Sequence, residues 1–270
     1  MAGSALLFPG QGSHAADMDA AWRGTPLFER GLELLGYDPF ADLGMGTRVQ
    51  QPAIFLVCAC AWDAHVGTGE VAAAGHSLGE YAALVAAGAL EFDDAVRLVD
   101  ERAAAMAEAG ELSPGGMVAM LGGDARDVRA LAEHLGLVVA NDNAPGQLVL
   151  SGPVEAVAEA EEVARDETGA RARRLDVTGA FHSPLMEPAA ERLRVALEAT
   201  PVGELQIPVY SNGTAAPFVD VRRELSQNLL RGVRWRETLL AMRTAGIERF
   251  VELGPGTVLT GLVKRTLQAA

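Results

Sequence analysis

The sequence predicts an α/β fold in which a mostly parallel sheet is flanked by helices and a second, smaller lobe is inserted into the chain. Three observations predict it. Short apolar runs that stop at glycine-rich turns alternate with helical periodicity toward both ends of the chain, the texture changes at Met117, and helical runs resume after residue 177. A length of 270 residues with 49% hydrophobic content is enough for one large domain carrying such a lobe.

Residues 4–8 are apolar and stop at Pro9-Gly10-Gln11-Gly12-Ser13, which reads as a buried strand, a glycine-rich loop and then a helix. Residues 52–66 read as a core helix and 71–74 as a short buried strand. That strand ends in Gly75-His76-Ser77-Leu78-Gly79, with helix following over 78–89. Asp93 or Asp94 is the expected N-cap of a helix over 95–109, and Gly115-Gly116 closes this segment. The next block reads strand 117–121, helix 124–134, strand 137–140, strand 147–151, helix 153–167, strand 170–175. That β-α-β-β-α-β order is the ferredoxin-like arrangement. The expected division is therefore 1–115 with 178–270 as the large domain and 116–177 as the small one. Beyond it come a helix from Pro184 to about Ala199, a strand at 207–211, a helical stretch over 221–245 and a final strand at 249–253 before Gly254-Pro255-Gly256.

Composition narrows the function. Lys+Arg of 22 against Asp+Glu of 36 gives a net charge of -14, which repels nucleic acid and anionic lipid. Cys58 and Cys60 are too few for a disulfide framework or a zinc site and read as core residues in a reducing compartment. No apolar run reaches the roughly 18 residues a membrane span needs, and the start at Met1 lacks the basic residues of a signal peptide. A cytoplasmic monomer is expected. No cluster of His, Cys or carboxylates has ligand spacing, and Gly10 and Gly12 begin no complete dinucleotide fingerprint, so no metal and no cofactor are expected.

The chemistry starts at Gly75-His76-Ser77-Leu78-Gly79, a G-x-S-x-G run with an apolar run before it and a helix after it. Glycines at both ends allow a turn sharp enough to hold the Ser77 hydroxyl out in a cleft, while the helix start points N–H groups at a developing anion. The bare pattern also fits a βα turn with a capping serine. A serine hydroxyl needs a base within hydrogen-bond reach. Of five histidines, His14, His65 and His134 read as surface or capping residues, and His76 points away from Ser77 and supports the turn. His182, in Gly179-Ala180-Phe181-His182-Ser183-Pro184, is left as the base. One charge is out of place: Arg102 shares a helix face with Ala95, Val99 and Met106, so it is expected to be buried. A buried guanidinium has to be paired, with an internal carboxylate or with the carboxylate of a substrate.

Six ordered motifs then resemble the malonyl-CoA:acyl carrier protein transacylases and the acyltransferase domains of polyketide synthases. They are Phe8 to Ser13, Gly75 to Glu80, Arg102, Asn141 to Gln147, Gly179 to Met186 and Glu252 to Gly256, and together they span nearly the whole chain. The resemblance implies a hydrolase-like α/β domain with an inserted ferredoxin-like subdomain and the active site between them. It implies Ser77 as nucleophile, His182 as base and Arg102 as the clamp on the malonyl carboxylate. Gln11 and the N–H of Leu78 are implied at the oxyanion hole, Phe181 and Met106 at the acyl pocket, and Asn141 and Asn143 in a loop near the site. Two positions depart from the family pattern: Ala103 stands where glycine is common, and Asn228 stands where glutamine offers the carbonyl that orients the histidine. Any residue supplies a carbonyl, so the dyad is expected to survive. The chain also stops at Ala270 without the extra stretch some relatives carry, and reads as a free-standing protein.

The expected partners are malonyl-CoA and an acyl carrier protein, with Lys264, Arg265, Arg231 and Arg234 either holding CoA phosphates or an acidic carrier, or simply scattered over the surface. Other readings stay open: transfer of another acyl group or between two carriers, a serine thioesterase, or a subunit without catalysis. Asp176 lies too close to His182 to serve as the third member of a hydrolase triad.

Overall fold

A computed structural model describes residues 3–67 and 69–269 of the chain; Met1 and Ala270, read above for the two ends of the protein, lie outside them with Ala2 and Thr68. Its strands are β1 (Gly3–Phe8), β2 (Glu70–Gly75), β3 (Gly115–Leu121), β4 (Val138–Ala144), β5 (Gln147–Pro153), β6 (Arg171–Arg174), β7 (Val209–Tyr210) and β8 (Ile247–Glu252). The helices are α1 (Pro26–Leu35), α2 (Thr47–Asp63), α3 (Gly79–Ala86), α4 (Phe92–Leu112), α5 (Ala125–His134), α6 (Val154–Thr168), α7 (Glu187–Ala199), α8 (Val221–Asn228), α9 (Trp235–Thr244) and α10 (Val258–Gln268).

Two sheets carry the fold. The first is parallel, in the order β7-β2-β1-β8. Its central strands are covered on both faces, which is why they read as continuous apolar runs rather than as alternation: Ala5, Leu6, Leu7 and Phe8 of β1 and Ala72, Ala73 and Ala74 of β2 are all buried. The second sheet is antiparallel, in the order β4-β5-β3-β6, and is built wholly from the β-α-β-β-α-β block. Alternation along its strands sorts two cores. Val118 and Met120 of β3 and Leu148 and Leu150 of β5 pack with Val128, Leu131 and Val157 of α5 and α6. Met117, Ala119 and Val149 point the other way and join Met106 and Phe181 in the main core. One face of the small sheet thus stabilises its own lobe, and the other closes over the parallel sheet.

Several expected elements move, each for a physical reason. No helix follows the first loop directly: residues 14–25 run as turns, and α1 begins at Pro26, where a missing N–H costs nothing. Helix α2 starts at Thr47 after Gly46 and continues through Pro52, so the expected boundary at proline lies inside it. Asp93 and Asp94 sit in the first turn of α4 rather than at its N-cap, which is Glu91; there they complement the helix dipole. Gly115 and Gly116 open β3 instead of closing the segment before it, and β4 extends to Ala144, which puts Asn141, Asp142 and Asn143 on a strand. The stretch over 221–245 is two helices, broken at residues 229–234, and α10 follows where no helix was expected. The break is packed against β4: Val233 N–H donates to Ala140 O at 2.8 Å and Asp142 N–H to Val233 O at 2.9 Å. A Cβ on Gly232 would lie 2.4 Å from Val139 O, so only glycine passes there. Cys58 and Cys60 are free and buried.

Candidate active site

Ser77 sits between the end of β2 and the start of α3 with φ 51, a left-handed conformation that an L-residue adopts at a cost of about 1–3 kcal/mol. The surroundings hold it there. His76 N–H donates to Phe8 O at 2.9 Å, and Ser77 N–H donates to the Asn212 side-chain oxygen at 2.6 Å. The flanking glycines are required sterically: a Cβ on Gly75 would lie 1.8 Å from the Gly79 carbonyl carbon, and one on Gly79 would lie 2.0 Å from Phe8 O. Gly10, from the first loop, passes so close that its Cβ would meet His76 O at 2.4 Å.

Ser77 Oγ lies 2.8 Å from His182 Nε2. On the far side of the ring, His182 Nδ1 faces two carbonyl oxygens, Asn228 O at 2.8 Å and Arg231 O at 3.0 Å. Two acceptors at Nδ1 put the proton there and leave Nε2 free to accept from the serine. Both carbonyls come from the end of α8 and the break after it, so the interruption of the helical stretch is what orients the base. Burial, and then the nearby Arg102 charge, lower the His182 pKa to about 4, which keeps the ring neutral. The partners of Nδ1 are neutral carbonyls and Asp176 is not among them, so the arrangement is a dyad rather than a triad.

Arg102 is buried on the same face of α4 as Ala95, Val99 and Met106. Its guanidinium donates to the side-chain oxygen of Gln51 and, at 3.0 Å, to Ser77 Oγ, and it lies 5.8 Å from the centre of the Tyr81 ring. Among the described residues no carboxylate forms an ion pair with it, and burial depresses its pKa. A guanidinium held beside a serine hydroxyl without an anion is poised for one.

A cavity of about 390 Å³ opens above the dyad, lined by Ser77, His182, Gln11, Met106, Phe181, Asn141 and Asn143, and also by His14, Gln50, Met117, Val149, Arg173 and Asp176. Arg102, Leu78 and Asn228 are not among its lining residues, but Arg102 donates to Ser77 Oγ, Leu78 follows Ser77 directly, and the Asn228 carbonyl meets His182. The Gln11 side chain donates one N–H to Gln50 Oε1 and accepts from Thr47 Oγ1, each at 2.9 Å, which fixes its amide at the edge of the cavity. Asn143 accepts from His76 Nε2 at 2.8 Å, and His76, read from the sequence as pointing away from Ser77, is also among the residues that line the cavity; Asn141 bridges to Val233. The Asn228 side chain donates to Glu80. All four cations singled out are exposed; Arg234 pairs with Glu237 and Arg265 donates to Gln147.

Several residues of the site escaped the sequence reading. His14 lines the cavity, with Nδ1 buried and unpartnered among the described residues, where a surface or capping role was expected. Gln50 and Gln51 were missed because the helix was begun at Pro52; their signal is a pair of amides at the head of an apolar run. Glu80 and Asn212 sit under the serine, and the only hint of the first is a lone charge in the apolar run that follows Ser77.

A family model described as "Acyl transferase domain" matches residues 32–270. The chain belongs to the acyl transferase domain family. The acyltransferase is 38% identical to the malonyl CoA-acyl carrier protein transacylase of Bacillus subtilis (strain 168), over 97% of this chain and 89% of that one. It is equally close, at 38%, to the polyketide biosynthesis protein ThaF of Burkholderia thailandensis, of which it spans 24%. Among solved structures, the malonyl CoA-acyl carrier protein transacylase of Coxiella burnetii matches with TM-score 0.92 and 36% identity over 100% of this chain and 92% of that one. A malonyl-transacylase solved in complex with a type II polyketide synthase acyl-carrier protein matches with TM-score 0.90 and 35% identity, over 98% and 93%. The parallel sheet with a separate antiparallel sheet is the fold of these structures.

Proposed function

We propose that this acyltransferase moves a malonyl group from CoA to the phosphopantetheine thiol of an acyl carrier protein, for fatty acid or polyketide synthesis, through an acyl-Ser77 intermediate. The observation that carries the reading is Arg102: a buried guanidinium with no carboxylate partner among the described residues, 3.0 Å from the hydroxyl that would attack. His182 Nε2 takes the Ser77 proton as Oγ adds to the thioester carbonyl, and the Leu78 backbone N–H and Gln11 hold the oxyanion. The proton then goes to the departing CoA sulfur. The carrier thiol enters the same cavity, loses its proton to His182 and adds to the acyl carbonyl, and as the ester bond breaks the proton returns from His182 to Ser77 Oγ. A dicarboxylic acyl chain is oriented by its free carboxylate on Arg102, between Met106 and Phe181, which favours transfer over attack by water. A thioesterase reading has less support, because among the described residues His182 Nδ1 meets two carbonyl oxygens and no acid. The reading extends to a monomer working in the cytoplasm without a cofactor, with 116–177 as a subdomain inserted in 1–115 and 178–270.

Intact-mass measurement after incubation with a panel of acyl-CoAs tests it. A malonyl adduct on the parent, absent from Ser77→Ala, is expected, as is its discharge by carrier protein. In Arg102→Ala malonyl loading is expected to fall by about 10²-fold or more while acetyl loading survives. Equal loss of malonyl and acetyl would overturn the clamp.

A further inference from the structure

We propose that Glu80 is a positioning residue for the acyl transfer proposed above, on which this inference rests: its carboxyl group ties together the two asparagines that hold the nucleophile and the base. Glu80 is in the first turn of α3, three residues after Ser77, and is 3% exposed. Its Oε1 accepts from Asn212 N–H at 2.7 Å and from Asn228 Nδ2 at 3.0 Å, and its Oε2 lies 3.1 Å from the same Nδ2. Each asparagine reaches one member of the dyad. Asn212 accepts the Ser77 N–H through Oδ1 at 2.6 Å and donates through Nδ2 to Gly75 O at 2.7 Å, gripping the turn on both sides of the serine. The backbone carbonyl of Asn228 takes His182 Nδ1 at 2.8 Å. One carboxyl group therefore stands beneath both halves of a dyad whose members lie 105 residues apart in the chain.

Energetics favour this role over simple filling. Burying a carboxyl group without a cationic partner is costly, and an apolar side chain of the same volume fills such a site at lower cost. Among the described residues Glu80 forms no ion pair; its hydrogen bonds go to neutral amides. What it offers that an apolar residue lacks is a pair of acceptor oxygens, and these meet the donors of the two asparagines. Glu80 touches neither the serine hydroxyl nor the imidazole, so it acts on the reaction through geometry alone.

Two substitutions in the full-length protein separate acceptor from volume: Glu80→Gln keeps an acceptor oxygen, and Glu80→Met keeps the volume without one. Acylation of Ser77 by malonyl-CoA is followed by intact mass, with kcat and KM taken from the transfer reaction. In Glu80→Met kcat is expected to fall by about 10- to 100-fold with KM changed by less than about threefold, and Glu80→Gln is expected to restore most of the loss. A Glu80→Met enzyme as fast as the parent, or a loss that falls on KM alone, overturns the proposal. Should that variant not fold, Asn228→Ala decides, because it keeps the carbonyl and removes the amide that Glu80 holds, with Ser211→Ala as the control for the 3.1 Å bond that the same amide makes to Ser211 Oγ. A fall in kcat at constant KM supports the role, and an unchanged kcat overturns it. A parent that forms no malonyl adduct removes the underlying reading; a loaded parent with unaffected variants removes only the role of Glu80.

Discussion

Burial and the Arg102 charge together set the electrostatics of His182. Burial is the larger cause of the low His182 pKa and the Arg102 charge the next, so the free enzyme carries a neutral base down to about pH 4 rather than 6.5. The acid limb of kcat/KM, which reports the free enzyme, is expected near pH 4, and Arg102→Ala should move it upward, measured with acetyl-CoA so that the missing clamp does not intervene. An acid limb near 6.5 in the parent would show that His182 is not so shielded. The same shift acts on stability with a definite sign. A histidine whose folded pKa is lowered stays neutral in the fold while the unfolded chain takes up a proton, so its contribution is lost as pH falls from about 6.5 toward 4.

At the scale of elements, the turn between β2 and α3 is packed directly against backbone, beyond the side-chain hydrogen bonds that grip it. A methyl group on Gly79 would stand 2.0 Å from Phe8 O, in the neighbouring strand, and no rotamer change relieves it. Gly79→Ala is expected to displace α3 from β1 and lower Ser77 acylation by about 10²-fold or more, since a shift of roughly an ångström at the nucleophile is enough for that. Acylation within a few-fold of the parent would mean the turn yields more readily than its packing implies. This turn was legible in the sequence because its cause is local: a buried strand, two glycines and an apolar helix follow one another directly. The start of α2 was not, because a proline inside a helix looks like a boundary, and the two glutamines ahead of it were assigned to no element. The break between α8 and α9 was hidden for a different reason. Helical periodicity runs across it, and what interrupts the helix is a contact with β4, far away in sequence.

Across the whole molecule, the two sheets are tied by Asp142. This buried carboxylate of β4 accepts from Arg129 of α5 at 2.7 Å and from Arg236 of α9 twice, at 3.0 Å. It lies beside Val233, two residues after Arg231, whose carbonyl meets His182 together with that of Asn228. Asp142→Asn leaves two cations facing a neutral amide. Because both arginines are partly exposed, the expected cost is about 1–2 kcal/mol, read as a fall in midpoint of denaturant unfolding. A kcat loss should accompany it if the tie helps to place the carbonyls; an unchanged midpoint would show that the tie is screened.

The sequence by itself determined the parallel sheet, the inserted β-α-β-β-α-β lobe, the sharp turn at Ser77 and the burial of Arg102. Each of these follows from residues near one another in the chain, through apolar periodicity, glycine spacing or a charge on an apolar helix face. Only the tertiary structure decided what Arg102 meets, which carbonyls hold the base and what lies under the dyad. Gln51 reaches Arg102 across 51 residues, Asn228 reaches His182 across 46, and Glu80 reaches Asn228 across 148. Hydrogen bonds at such separations leave no periodic trace, because they are set by how whole elements pack and not by the order of side chains along any one of them.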